Sequence, residues 1–481
     1  MDYIVELILA SLLLILMLLD FINSKFDYWF RLQIPGPEPN IFCGNIGDVV
    51  LGRRSLVEKV EELYSEWNSE PYFGIFVWHT PVLMINDLNV IRNILVDNSK
   101  LFSSPKFVIN RGIIHRSSYK SGSIDHPKVL ERILTSDRMK NMFDLIIKCT
   151  NESSLHKMIE ENRIMNCSSL AENFTSEVMS SCVFGIEEKA SLGERQRCRD
   201  IIRGICRSDE CNSYEEKFRI IIGTVCSYLG VKKNPKKWDF FVKVIREKIR
   251  DREERNIVRP DFLDALRDLK GGIRQDDFEW TDSLLTAQTS FLLISSYSPS
   301  VSLISTVLHE LAINQQVQER LRTEIIETLK LYNELSADIV KGMEYISMVL
   351  NETLRKHPMN ALLKRKLNEK CQVEGSKINV PKNIRVVIPV ASIHNNEEYY
   401  PDPDTFSPER FCEEKMNGRH SMTFLPYEGG PKSSIGEKFA IYSAKLVLIF
   451  LLKKFRINPV ENKSYNVANT RKFRVKFVSL E

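Results

Sequence analysis

The sequence predicts one large domain, mainly α with small β-sheets, carried on an N-terminal membrane anchor. Three observations lead there. An apolar run fills Tyr3–Ile22, and from about residue 127 to 355 the pattern is helical with few Pro or Gly interruptions. Strand-like runs appear only before and after that helical stretch. No linker-like composition divides the body, so the expected organisation is 1–22 as anchor, 23–40 as a proline-rich linker and 41–481 as the domain.

Composition sets the outer limits. At 481 residues, 43% hydrophobic and 27% charged, this is an ordinary globular composition, long enough for a large core. A formal charge of +4 gives no electrostatic footprint for nucleic acid. The ten cysteines form no Cys-x-x-Cys pair, which suits reduced thiols facing the cytosol better than a secreted, stapled protein. Cys198, Cys206 and Cys211 cluster without a nearby histidine, so they read as structural residues rather than a zinc site.

Taken in order, Tyr3–Ile22 has about the length that crosses a bilayer as a helix, interrupted only by Glu6, Ser11 and Asp20. No Lys or Arg precedes Asp20, whereas Lys25, Arg31, Arg53 and Arg54 follow it. That bias puts the downstream body in the cytosol. A cleaved signal peptide would need a basic leading segment, which is missing. The Asn-x-Ser/Thr sites at Asn151 and Asn173 would then never meet the glycosylation machinery. Pro35, Pro37 and Pro39 make the next segment a stiff, extended connector.

Tyr72–Trp78 and Pro81–Ile85, around His79-Thr80, predict a hairpin. Asp87 is placed to cap a helix from Leu88 to about Val96, with Val90, Ile91 and Leu95 inward. A long helix is expected over Leu284–Leu321. Glu352 and Arg355, three apart in a helix stopping near Pro358, share one face. Exposed, such a pair would be worth only a few tenths of a kcal/mol. Strand-like segments return at Lys377–Val380, Arg385–Pro389 and in the alternating Phe473, Val475 and Phe477.

Near the end, Phe424-Leu-Pro-Tyr-Glu-Gly-Gly-Pro-Lys-Ser-Ser-Ile-Gly-Glu-Lys-Phe-Ala440 runs a Gly/Pro-rich loop into an apolar helix extending through Leu452. Gly429, Gly430 and Gly436 would let the backbone approach something flat and bulky, or serve an ordinary turn before a buried helix. This stretch resembles the haem-ligand loop of the cytochrome P-450 superfamily, the haem-thiolate monooxygenases. That pattern reads Phe, Gly, any, Gly, any, Arg or His, any, Cys, any, Gly. Here the places hold Tyr427, Glu428, Gly429, Gly430, Pro431, Lys432, Ser433, Ser434, Ile435 and Gly436. The family's iron-binding cysteine falls on Ser434.

Further motifs carry the same resemblance. Asp404-Thr-Phe-Ser-Pro-Glu-Arg-Phe411 is similar to the segment that adds a second arginine, Arg410, to Glu352 and Arg355, a triad that braces the cofactor loop. Arg365 resembles the arginine pairing with a haem propionate, and Lys432 takes the place of another such cation. The family's Trp-x-x-x-Arg element falls on Pro127 and Glu131, which weakens that clamp. The helix over Leu284–Leu321 resembles the one crossing the oxygen face of the haem. Its acid–alcohol pair is replaced by Ser298 and Pro299, so proton delivery to oxygen is expected to suffer. Val178–Leu192 and Trp238–Leu266 are similar to insect microsomal members.

The resemblance implies oxidation of lipophilic small molecules, hormones or foreign compounds such as insecticides, with haem and oxygen. Electrons would come from NADPH through a flavoprotein reductase, at the cytosolic face of the endoplasmic reticulum membrane. Thiolate donation helps cleave the O–O bond, so Ser434 implies an impaired enzyme. The alternative is a non-catalytic protein that binds haem or a lipophile. Cys412, beyond the Pro-Glu-Arg-Phe segment, and His420, read as a surface residue, are not expected to substitute as ligands.

Overall fold

The computed structural model describes residues 3–4, 13, 24–103, 136–151, 153–186, 192–209, 235–272, 282–332, 334–372, 379–427, 429, 436–460 and 473–480. Most of the expected anchor lies outside these. Among the described residues, no helix is long and apolar enough to cross a membrane.

Along the chain come α1 (Leu56–Glu66), β1 (Tyr72–Val77), β2 (Thr80–Ile85), α2 (Leu88–Arg92), β3 (Phe102–Ser103), α3 (Ser136–Asn151), β4 (Ile164–Asn166), α4 (Cys167–Phe184) and α5 (Leu192–Asp209). Next are α6 (Pro235–Arg255), α7 (Phe262–Gly272), α8 (Asp282–Ile313), α9 (Gln315–Leu331) and α10 (Glu344–Lys356). The chain continues with β5 (Leu363–Leu367), β6 (Cys371–Gln372), β7 (Asn379–Val380), β8 (Arg385–Ile388), α11 (Gly436–Lys454), β9 (Phe455–Pro459) and β10 (Arg474–Ser479). Helices dominate and the sheets are small, as the pattern predicts. The residues gather into two compact units, each assembled from separated stretches, so no single cut in the sequence parts them.

The first unit comprises Met1–Phe107, Asn360–Pro403 and Gly418–Pro431. Its five-stranded sheet has the order β1-β2-β8-β5-β3. The predicted hairpin is there, with its turn at Trp78-His79, one residue earlier than expected. Trp78 adopts φ +56°, a left-handed conformation that an apolar run gives no hint of. The Asp87 carboxylate accepts from Val90 N–H at 2.9 Å and caps α2, which is followed by a wider turn over Asn93–Asp97. Ile85, Ile91, Val386 and Ile388 form part of one buried cluster.

The second unit comprises Val108–Met359, Asp404–Asn417 and Lys432–Glu481. Helix α8 runs through it, packed on α4 and α11, with Ile304, Val307, Leu308 and Leu311 fully buried. The single helix expected over Leu284–Leu321 is two helices, broken at Asn314. The Asn314 side-chain amide donates to the Glu310 carbonyl at 2.9 Å and closes the end of α8. Gln318 on α9 then donates to Leu311 O and Ile457 O. Arg322 donates to Leu452 O and Phe455 O, closing α11. In β10 the alternation holds, with Val475 and Phe477 buried and Arg474 and Lys476 exposed. A buried Arg252, paired with Asp261 and Asp264 at 2.6 and 2.8 Å, ties α6 to the start of α7.

Candidate functional site

Helix α10 builds the first part of the site. Its buried stripe of Ile346, Val349, Leu350 and Leu354 faces the core, and Glu352 and Arg355 lie on the buried side with them. The α9 residue Glu324 caps its start, accepting from Tyr345 N and Ile346 N at 2.7 and 2.9 Å. Arg355 donates through Nε to Glu352 Oε2 at 2.8 Å and through Nη2 to Oε1 at 2.9 Å. Both residues are 0% exposed. The 3₁₀ turn Pro408–Phe411 brings Arg410 Nε to 3.5 Å from Glu352 Oε1, and Ser407 N donates to the same oxygen at 3.0 Å. The Arg355 and Ser407 contacts are charge-assisted bonds to one carboxylate out of water, and Arg410 adds an ion pair. Lys356 Nζ donates to Asp404 O at 3.1 Å, and Arg320 reaches Glu409 at 2.6 Å. The turn and the segment leading into it are therefore fastened to α10 and α9.

Helix α8 supplies the second part. Ser298 and Pro299 lie half-buried in its middle, between buried Ser296, Tyr297 and Ser300. Ser300 Oγ donates to Ser296 O at 2.7 Å. The first residue of α11, Gly436, is buried against the same turn: an ideal Cβ there would stand 1.9 Å from Ser295 O. Only glycine fits that approach. Glu437, in the first turn of α11, has its carboxyl pushed up by burial, opposed by Lys438.

In the first unit, β5 turns Leu363, Arg365 and Leu367 inward while Lys364 and Lys366 face out. Arg365 is thus buried, and donates to Lys364 O at 3.0 Å. The start of the loop is held tightly. Leu425 N donates to His394 Nε2 at 2.8 Å, and the Asn360 amide to Tyr427 O at 3.2 Å. Gly429 has φ +64°, where a side chain would be strained. Glu428, Gly430, Lys432 and Ser434 lie outside the described residues, as do Pro127 and Glu131. His420 has a local task, its Nδ1 accepting from Met422 N at 3.2 Å. Cys412 ends the Pro408–Phe411 turn, half-buried.

A family model described as Cytochrome P450 matches residues 34–478. The chain belongs to the cytochrome P450 family. It is similar to cytochrome P450 6B6 of Helicoverpa armigera, 28% identical over 470 residues, covering 94% of this chain and 92% of that relative. Probable cytochrome P450 6a13 of Drosophila melanogaster is 29% identical over 451 residues, covering 91% and 89%. Cytochrome P450 6A1 of Musca domestica is 29% identical over 483 residues, covering 93% and 90%.

Membership of the cytochrome P450 family implies haem, and the residues here can be tested against it. The bracing triad is closed, and the cradle at Gly436 leaves no room for a side chain. That much fits. The sequence resemblance puts a hydroxyl, Ser434, at the axial place, which lies outside the described residues. Among the described residues no group of three or more His, Cys, Asp and Glu is placed to hold a metal ion. In this cytochrome P450 the described part of the frame is the buried Glu352–Arg355–Arg410 set and the close seat of Gly436.

One cluster escaped the sequence reading. His357 Nε2 lies 2.7 Å from Glu310 Oε1, with Lys356 Nζ at 3.5 Å, so the far end of α8 is tied to the end of α10. Burial tends to raise the Glu310 carboxyl, but the His357 hydrogen bond and the Lys356 charge outweigh it and hold it below its usual value. Glu310 and His357 are 47 positions apart, and no periodicity links them.

Proposed function

We propose that this chain is a cytochrome P450 whose fold and cofactor frame persist while ordinary monooxygenation is impaired. Ser434 at the axial position carries this reading. A serine hydroxyl ionises far less readily than a thiol and cannot give the electron donation that favours O–O cleavage. Ser298 and Pro299 support it independently, since neither supplies the acid–alcohol pair that delivers protons.

Lipophilic small molecules, hormones or foreign compounds such as insecticides, are the ligand class the family brings. An NADPH-dependent flavoprotein reductase is the electron partner for whatever oxidation survives. Haem would be held by the loop through Ser434 and by the cations Arg365 and Lys432, with Glu352, Arg355 and Arg410 bracing the loop. The body is placed on the cytosolic face of the endoplasmic reticulum membrane by the apolar Tyr3–Ile22 segment and the Lys and Arg that follow it. A second reading, a non-catalytic binder of haem or a lipophile, draws on the same losses together with Pro127 and Glu131.

The test is spectroscopic. The native chain, reduced and exposed to carbon monoxide, is expected to lack the red-shifted band of thiolate-ligated haem, and Ser434→Cys to acquire it. Hydroxylation by Ser434→Cys stays weak, and Ser298→Glu with Pro299→Thr raises its coupling to NADPH. Efficient, tightly coupled hydroxylation by the native chain would sink the proposal. Absence of haem from both proteins would favour the lipophile-binding reading.

A further inference from the structure

Pro299 lies inside α8, and proline has no N–H. The Ser295 carbonyl, four residues earlier, is therefore without the donor a helix normally gives it. That oxygen is turned toward the first residue of α11. An ideal Cβ on Gly436 would stand 1.9 Å from Ser295 O, 2.6 Å from its carbonyl carbon and 2.8 Å from Ser296 Cα. The first turn of α11 carries N–H groups with no intrahelical acceptor and the positive end of the helix dipole. A carbonyl released from its own helix thus lies against the first residue of another. A proline inside a helix disfavours that helix and frees this carbonyl to pack elsewhere.

We propose that Pro299 is a positioning residue for the start of α11. By withholding an N–H from Ser295 it turns that carbonyl onto Gly436, and so sets where the helix following Ser434 begins. The consequence for a cofactor rests on reading the 424–440 stretch as the ligand loop; the packing does not.

Amide hydrogen exchange on the full chain in detergent, native against Pro299→Ala, tests this. Restoring an N–H at 299 should draw the Ser295 carbonyl back along α8. Exchange at Glu437, Lys438 and Phe439 is then expected to accelerate about tenfold while protection within α8 rises. A local kink with no reach predicts changes confined to α8, and that result would overturn the proposal. Ser298→Ala, beside the same turn but changing no backbone N–H, should leave residues 437–439 unchanged; acceleration there would mean general loosening and also count against it. In the Ser434→Cys background, Pro299→Ala should speed alkylation of the introduced thiol several-fold, and an unchanged rate would deny any effect on the loop. If that background binds no haem yet the exchange pattern appears, the cofactor reading fails and the positioning role stands.

Discussion

Glu352→Gln is the most demanding probe of the frame. The Glu352 oxygens accept from Arg355 at 2.8 and 2.9 Å and from Ser407 N at 3.0 Å, with Arg410 at 3.5 Å. Glutamine keeps the shape, but it removes the charge and turns one acceptor into an NH₂ that must face a guanidinium donor. Removing one partner of a buried ion pair costs about 3–5 kcal/mol, because the other charge is left uncompensated. Arg355 is 0% exposed while Arg410 retains 11%, so Arg355 bears most of that cost and about 3–4 kcal/mol is expected. Arg355→Lys keeps the charge and loses only the fork, for about 1–2 kcal/mol. Lys243→Ala, removing an exposed pair with Glu247 at 3.8 Å, should cost under about 1 kcal/mol. Urea denaturation of the three variants gives the comparison directly. A Glu352→Gln loss no larger than that of Lys243→Ala would refute the reasoning.

Two further outcomes are expected. His309 stacks on Phe473 with centroids 3.7 Å apart, and burial lowers its pKa from 6.5 to about 4, with Glu310 opposing and His357 and Lys356 assisting. Below 6.5 the unfolded chain binds a proton that the folded chain refuses, so stability present above that value is lost as pH falls toward about 4. Urea midpoints should drop between those limits, and His309→Phe should flatten the drop; an unchanged pH profile would deny that the half-buried His309 is held neutral. The second concerns topology. Asn151 is exposed at the end of α3 with Ser153 two residues on, yet it should carry no glycan in cells, and protease added to sealed microsomes should digest residues 40–481. A glycan there, or full protection of the body, would put the body in the lumen.

Local chemistry was legible in the residues themselves. The hairpin, the Asp87 cap and the inward alternation of Phe473, Val475 and Phe477 each depend on neighbours a few positions away. So does the Glu352–Arg355 spacing, which one helical turn enforces. The residue type at Ser434 is likewise a single letter, and the axial place proposed for it rests on the resemblance. Arg410 was reachable only through family resemblance, since nothing local joins it to Glu352.

Tertiary structure decided the rest. The break at Asn314 depends on its bond to Glu310 and on Gln318 reaching Ile457 in a strand far along the chain. A pattern of apolar residues runs through it unmarked. The Glu310–His357 contact and the seat of Gly436 on Ser295 join residues whose approach is set by how α8 crosses α10 and α11. Burial decided that Arg365 points inward from β5, which its charge alone does not say. The physical reason is common to all of these: backbone preference and side-chain period act over a turn or a strand, while desolvation and close approach depend on which distant segments share a volume.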